Sequence, residues 1–427
     1  MAAQSAPSDR VNMAVVGFHG RERAHINGFA KIPNVRVAAL CDADERLFPG
    51  GVELVEKLQG HKPDTYFDIR KLLERKDIDA ISIAAPDYWH ALMTIWGCQA
   101  GKDVYVEKPV SFTIVEGRRM VEAARKYQRI VQAGLNMRAE PQVRAAMRAL
   151  HTGAIGKVYR AKIDLVKPRA SIGHVKESSV PEGVHWDLYL GPTKYQPFTL
   201  NKFHYAWHFN WDTSTTDVGN TGVHHFDAAR WGLNKNVHPV KVHSTGGYYV
   251  WDSDQETPNF QVGTLEYADG TILDFTTNNL YAPPNSDTNT WYTTEGYLAS
   301  GNWQTFRGKF EVRGNDIAPS GINEHANNAS FPKATYTPQP INPTGEPAMS
   351  HFENFIACVR SRKREDLYCE VEEGHRSSAL CHLANISYRL GRKLVFDPAT
   401  ETFPGDAKAN GLLTRQYRAP YTLPDKL

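Results

Sequence analysis

Short apolar runs recur along the first third of the chain, separated by stretches with helical spacing. Residues 11–16, 35–40, 80–84, 103–106 and 129–133 each read as a buried strand. Between the last two, Ile114, Val121, Ala124 and Tyr127 fall near one face of a helix. Strands alternating with helices over about 135 residues predict an α/β fold, a parallel sheet covered on both faces. From about Leu150 the texture changes to alternating segments and polar loops. Residues 158–165 alternate as a sheet strand does, and 267–273 carry an Asp269-Gly270 hairpin turn between two apolar runs. Helical patterning returns at 351–362 and 374–390. Residues 319–347, rich in Pro, Asn, Gly and Thr, predict a long connection over the surface.

The first apolar run leads straight into Gly17-Phe18-His19-Gly20-Arg21-Glu22. A glycine at such a turn lets backbone N–H groups approach a pyrophosphate, which then sits at a helix N-terminus. The usual G-x-G-x-x-G spacing would put glycine at His19 and a small residue at Glu22. Here Gly20 is the candidate for the close approach instead. Asp42 closes the second run. An acid there accepts hydrogen bonds from a ribose diol and repels a 2′-phosphate, so NAD rather than NADP is the expected cofactor. The competing role for Asp42 is to cap the next helix.

Composition narrows the classes. With 41% apolar and 22% charged residues, the chain has an ordinary globular make-up, and its length suggests two or three domains. A net charge of +2, spread along the sequence, gives no support to a nucleic-acid partner. No apolar stretch is long enough to span a bilayer. Cys41, Cys98, Cys358, Cys369 and Cys381 are odd in number and show no C-x-x-C spacing, so neither a disulfide framework nor a zinc knuckle is expected. There is no H-E-x-x-H helix, and His204 and His208 lack a carboxylate at a telling offset; no metal is expected. Residues 1–7 are small and polar without an apolar segment. Two compartments stay open: the cytoplasm, since this chain carries no signal, and the periplasm, if an export signal has been removed.

The third run is followed by Ala84-Ala85-Pro86-Asp87-Tyr88-Trp89-His90, and the fourth by Glu107-Lys108-Pro109. Ligands of open α/β sheets bind beyond the carboxyl ends of strands. A lysine there, near a cationic nicotinamide and partly desolvated, has a lowered pKa suited to exchanging a proton with a hydroxyl or carbonyl. Pro109 restricts the backbone beside it. The expected cofactor contacts are therefore Gly17, Phe18, His19, Gly20, Arg21, Asp42, Ala85, Pro86, His90, Glu107 and Lys108, with Asn136 after the fifth run.

With Gly101-Lys102 ahead of Glu107-Lys108-Pro109, the glycine turn, and Pro86 with His90, the chain resembles the glucose–fructose oxidoreductase/inositol dehydrogenase family, Gfo/Idh/MocA. The resemblance continues through Gly222-Val223-His224-His225-Phe226-Asp227-Ala228-Ala229-Arg230-Trp231, His351-Phe352-Glu353-Asn354-Phe355 and Glu372-Glu373-Gly374-His375. It implies a Rossmann NAD-binding domain, placed at 1–142. At 143–427 it implies an α/β domain with an open, mostly antiparallel sheet for substrate binding and oligomerisation. It also implies a homo-oligomer, dimer or tetramer. In the family the lysine of this motif contacts the reacting hydroxyl or the nicotinamide, and a later histidine is the acid/base. That histidine falls on His224 and the second aspartate of its motif on Asp227. Asn220 stands where the family has an aspartate; it can orient a hydroxyl but cannot ionise. Asp217 is a candidate substitute.

An aromatic stretch runs from His185-Trp186-Asp187 through His204, Trp207, His208, Phe209 and Trp211 to Asp212. Aromatic faces pack on sugar C–H surfaces while Asn, Asp and His read hydroxyls, so a carbohydrate or polyol substrate is expected. Lys108, Arg138, Trp207, Asn220 and His224 are its expected contacts, with Lys108 and His224 catalytic. Two reactions fit these residues. One is NAD-dependent oxidation of a CH–OH group. The other is redox-neutral glycoside cleavage through a transient ketone, which needs a further base; His185, His204 and His208 are its candidates. A cofactor-holding sensor would need neither Lys108 nor His224.

Overall fold

The apolar runs of the first third form one parallel sheet. In this computed structural model, which describes residues 10–282, 288–300, 311–314, 338–341, 345–424 and 427, they are β1 (Val11–Val16), β2 (Val35–Cys41), β4 (Ala80–Ile83), β5 (Asp103–Val106) and β6 (Val131–Ala133). A three-residue edge strand, β3 (Asp64–Tyr66), completes the order β3-β2-β1-β4-β5-β6. All five pairings are parallel. Helices α1 (Glu22–Ala30), α2 (Phe48–Gln59), α3 (Ile69–Leu73), α4 (Asp87–Gln99) and α5 (Ile114–Lys126) connect the strands. α5 starts on a capping box, Thr113 with Glu116, which satisfies its first backbone donors. Strand order reverses between β2-β1 and β4-β5, so the loops after β1 and β4 face each other there.

After α6 (Pro141–His151) the chain builds a mixed sheet from β7 (Val158–Val166), with helices α7 (Trp186–Leu190), α8 (Thr216–Asn220) and α9 (Gly222–Gly232) following it. Then come β8 (Lys241–Gly247), β9 (Phe260–Glu266), β10 (Ile272–Asn278), β11 (Thr288–Thr293), β12 (Gly296–Ala299), β13 (Glu311–Gly314) and β14 (Pro338–Pro340). Helices α10 (His351–Ser361) and α11 (Val371–Leu390) and the short β15 (Leu394–Val395) follow. The nine strands run β14-β13-β12-β11-β7-β10-β9-β8-β15, antiparallel except where β7 pairs with β10. Ala161, Ile163 and Leu165 of β7 are buried on one face, in the same core as Phe226 of α9. The hairpin turn sits between β9 and β10 with Gly270 at φ +82°. Most of the connection at 319–347 lies outside the described residues.

A division between residues 142 and 143 falls in the first turn of α6. Residues near the end of the chain also return to the first sheet. Phe355 and Ile356 of α10 share a core with Val11, Val15 and Phe29, and the Ala133 N–H donates to Cys369 O at 2.9 Å. No helix among the described residues is long and apolar enough to cross a membrane.

Candidate active site and cofactor groove

Gly17 ends β1 with φ +77°, and a Cβ on it would stand 2.6 Å from Ala85 N. Only glycine lets the turn after β1 press this closely on the turn after β4. A Cβ on Gly20 would meet nothing within 4 Å, so the backbone ahead of α1 faces open space. A cavity of about 460 Å³ opens at this place. Every residue expected to contact the cofactor lines it, from Gly17 round to Asn136. Accessible backbone before a helix and an acid at the end of β2 are the features a dinucleotide needs, and the groove fits NAD.

Asp42 accepts from Phe18 N and from Asp44 N, both at 2.9 Å, one through each carboxylate oxygen. It therefore braces the glycine turn itself, and each oxygen keeps a lone pair for a ribose hydroxyl. Burial pushes its pKa up to about 6, with the Phe18 and Asp44 N–H groups pulling the other way.

Two of the expected contacts spend their polar atoms on protein partners. Glu107, 4% exposed, accepts from Arg21 Nε at 3.1 Å and lies 3.0 Å from His25 Nε2, while His25 Nδ1 meets Ser82 Oγ at 2.7 Å. Burial alone would raise its pKa; His25 and Arg21 hold it well below the usual carboxylate range. His90 spans the two loops, with Nδ1 2.6 Å from Pro109 O and Nε2 2.7 Å from Ala85 O. Both residues shape the groove wall and fix the turn that carries Lys108. His25 and Ser82, buried under this turn, left no mark in the sequence pattern.

Lys108 Nζ donates to Asn220 O at 2.7 Å and to Asn220 Oδ1 at 3.3 Å. Burial lowers its pKa, and Glu107 partly restores it. Asn220 Nδ2 in turn donates to Asp217 Oδ1 at 3.3 Å, and Arg169 grips Asp217 at 2.6 and 3.0 Å. Asp217 is thus committed to Arg169; its hydrogen-bond link to Lys108 runs through Asn220, while its charge acts on Lys108 directly. Burial would raise the Asp217 pKa, but Arg169 holds it below the usual carboxylate range and keeps it ionised. His224 lines the same cavity, and burial together with the Lys108 charge holds its pKa well below 6.5, leaving it neutral. Trp207 and His208 line the cavity as a stacked pair, ring centroids 3.6 Å apart. Lys167, Arg169 and Tyr205 also line it and were not foreseen; the first two follow the end of β7, and Tyr205 lies within the aromatic stretch.

Arg138 is a correction. It does not line the cavity; it is 6% exposed and forks onto Asp227 at 2.8 to 3.2 Å, with Glu373 at 3.2 Å. Arg230 joins the same carboxylates, donating to Glu373 at 2.7 Å. Asp227 of the histidine motif is therefore spent on this buried knot. The aromatic stretch divides similarly. Trp186 packs with Tyr189, Phe198 and Phe203, and Trp211 stacks on Tyr388, 6.0 Å away.

A loop that follows β7 closes one side of the groove. Glu45 N donates to Gly183 O and His185 N to Ala43 O, at 2.9 and 2.8 Å. His204 Nε2 lies 2.8 Å from Asp44 Oδ2, and its ring stacks on His19 at 3.8 Å. Burial and the neighbouring His19 lower the His204 pKa to about 4. Leu188, Tyr189 and His204 line the cavity together with Asp42 and Ala43. Elsewhere, His238, His375 and Glu401 bring donor atoms within 4.8 Å of one another. Arg118 already forks onto that carboxylate at 2.6 and 3.0 Å, a charge that opposes a cation.

Comparison with known family models bears on most of the chain. Residues 11–135 match the model of an oxidoreductase family with an NAD-binding Rossmann fold (GFO_IDH_MocA). Residues 169–311 and 337–423 match the oxidoreductase family's C-terminal alpha/beta domain. Over 147 residues the chain is 32% identical to glycosyl hydrolase family 109 protein 1 of Shewanella sp. (strain ANA-3), covering 30% of this chain and 32% of that one. Over 123 residues it is 31% identical to an alpha-N-acetylgalactosaminidase of Shewanella oneidensis, covering 28% and 27%. The chain thus spans about a third or less of the length of the curated relatives it matches. The WlbA dehydrogenase of Bordetella pertussis, solved with NADH and UDP-GlcNAcA, has the same fold (TM-score 0.64, 18% identity, 91% of this chain and 99% of that one).

Proposed function

The chain belongs to the Gfo/Idh/MocA oxidoreductase family, and from that premise we propose that it oxidises a CH–OH carbon of a sugar, glycoside or polyol with NAD. The observation that carries this is the half-buried Lys108 ammonium, hydrogen-bonded to Asn220 in the cavity that begins at the Gly17 turn and also holds His224. Bound NAD supplies the hydride acceptor. Lys108, its pKa lowered by burial, exchanges a proton with the substrate hydroxyl. Asn220 aims the amine through two oxygens, and neutral His224, which lines the same cavity, is the proposed partner that takes or returns the same proton. Trp207 and Tyr205 offer aromatic surface to sugar C–H groups, and Asn220 and Thr221 offer polar atoms to hydroxyls.

A second reaction is favoured by the family 109 glycosyl hydrolase and alpha-N-acetylgalactosaminidase relatives. There the carbon is oxidised only transiently, the ketone acidifies the neighbouring C–H, the aglycone leaves, and the hydride returns. One experiment separates the two. The protein is incubated with NAD and either free sugars and polyols or 4-nitrophenyl glycosides of glucose, galactose and N-acetylgalactosamine, and both chromophores are followed. Nitrophenol release without net NADH rules out simple dehydrogenation; NADH accumulating on a free polyol rules out the redox-neutral cycle. Lys108→Ala is expected to lose at least about a hundredfold in turnover, the usual size of a general acid–base contribution. Near-normal turnover would remove Lys108 from the chemistry.

A further inference from the structure

The three histidines of the aromatic stretch have separate environments. His185 stacks flat on Phe67, centroids 4.1 Å apart, and pairs with Glu45. His204 is tied to Asp44 and stacked on His19. His208 alone shares the cavity wall with Lys108, Asn220 and His224 without being bound to a carboxylate.

The orientation of its ring decides what it can do. Nδ1 lies 2.8 Å from the carbonyl oxygen of Tyr205. A carbonyl only accepts, so the ring proton sits on Nδ1 and the lone pair on Nε2. Among the described residues Nε2 has no hydrogen-bond partner. Stacking on Trp207, with the two ring planes 22° from parallel, holds the imidazole in place.

The charges around it suit a base. Burial lowers its pKa and keeps it neutral at rest, and the Lys108 charge works in the same direction. Asp87 and Asp217 oppose that effect and favour the imidazolium once a proton has arrived. Arg169 holds both oxygens of Asp217, and Thr215 donates to one oxygen of Asp87 at 2.7 Å.

We propose that His208 is a catalytic base that removes the proton from the carbon beside the transiently oxidised one. The inference rests on the redox-neutral reaction above. In the step the C–H bond breaks, its proton goes to Nε2, and its electron pair passes to the ketone oxygen as an enolate, next to the Lys108 ammonium. Nothing is oxidised or reduced in this step; the ketone comes from the earlier hydride transfer to NAD. Lys108 and His224 thus serve the hydroxyl, and His208 serves the carbon next to it.

His208→Asn tests the assignment, because the asparagine amide nitrogen can keep the bond to Tyr205 O while Nε2 is deleted. The 4-nitrophenyl glycosides named above are incubated with enzyme and NAD in D₂O, and the released sugar is analysed by mass spectrometry. The wild type is expected to place one non-exchangeable deuterium on the sugar. H208N is expected to slow that exchange at least about a hundredfold, while NADH formed in a single turnover stays within about tenfold of wild type. Exchange at the wild-type rate in H208N overturns the role of His208 and leaves the redox-neutral reaction standing. NADH formation by the wild type without deuterium overturns both and leaves plain dehydrogenation. Neither signal with any glycoside counts against sugar oxidation itself, and His208 falls with it. Long-range ¹H–¹⁵N spectra of histidine-labelled protein read the ring directly: an Nδ1-protonated His208 is expected, and an Nε2-protonated one overturns the proposal without recourse to activity.

Discussion

Alanine at Gly17 and alanine at Gly20 separate what the fold needs from what the cofactor needs. Gly17 has φ +77°, a conformation that costs a residue with a side chain about 1–2 kcal/mol. Its methyl would also stand 2.6 Å from Ala85 N and 2.8 Å from Ala84 C and Ala85 Cα, all backbone atoms that cannot rotate away. Ordinary contact begins near 3.4 Å, so the turns after β1 and β4 have to part by about 0.8 Å. Overpacking of that kind adds roughly 1–3 kcal/mol. G17A is therefore expected to lower the denaturation midpoint without NAD and, because both turns line the groove, to weaken NAD at least about tenfold, or 1.4 kcal/mol. G20A should behave differently. Its methyl meets no protein atom, so the midpoint without NAD should match wild type, yet NAD binding should weaken at least about tenfold where the methyl blocks the backbone from the pyrophosphate. Thermal melts with and without NAD, together with titration calorimetry, read both quantities. Wild-type affinity in G20A refutes the placement of the pyrophosphate on this turn. A native melt for G17A refutes the steric account.

Three further outcomes follow from the side chains. The raised pKa of Asp42, about 6, means that its contribution to stability is fully present below its unfolded value near pH 4 and is lost as pH rises through 6. Ribose hydroxyls donate to the ionised form, so NAD affinity should rise through the same window with release of a proton; calorimetric affinity flat from pH 5 to 8 would exclude Asp42 as the ribose acceptor. Arg138→Met leaves Asp227 buried without its fork and should cost about 3–5 kcal/mol in denaturant titrations, with KM of the folded enzyme unchanged; a tenfold change in KM would return Arg138 to the substrate. Glu401→Gln removes the charge that Arg118, His238 and His375 share and should cost about 3 kcal/mol, the lower end for a buried network because Arg118 is partly exposed. An unchanged denaturation midpoint would show the cluster to be idle.

How much was legible in the sequence depended on how local each cause was. β1, β2, β4 and β5 are buried on both faces, so their apolar runs stand out. β3, Asp64-Thr65-Tyr66, is a short edge strand with two exposed residues and carries no such signal. Lys108 could be read because its motif follows a strand at the carboxyl edge of the sheet. Arg138 could not, because its fate is set by Asp227 and Glu373, 89 and 235 residues away. Likewise Asp217 is matched to Arg169 across 48 residues, and nothing in the local pattern of either announces the pair.

The loop carrying Gly183, His185 and His204 has a kinetic consequence. A nucleotide lying against Asp42 and Ala43 would be covered on one side by the loop that also binds Asp44, Glu45 and His19, and parting those bonds would ease its exit. For an enzyme that must discharge NADH after each oxidation, this opening bears on every turnover and can compete with chemistry for the slow step. For one that returns the hydride to its own substrate, the same cover is no burden: a single captured nucleotide serves many cycles.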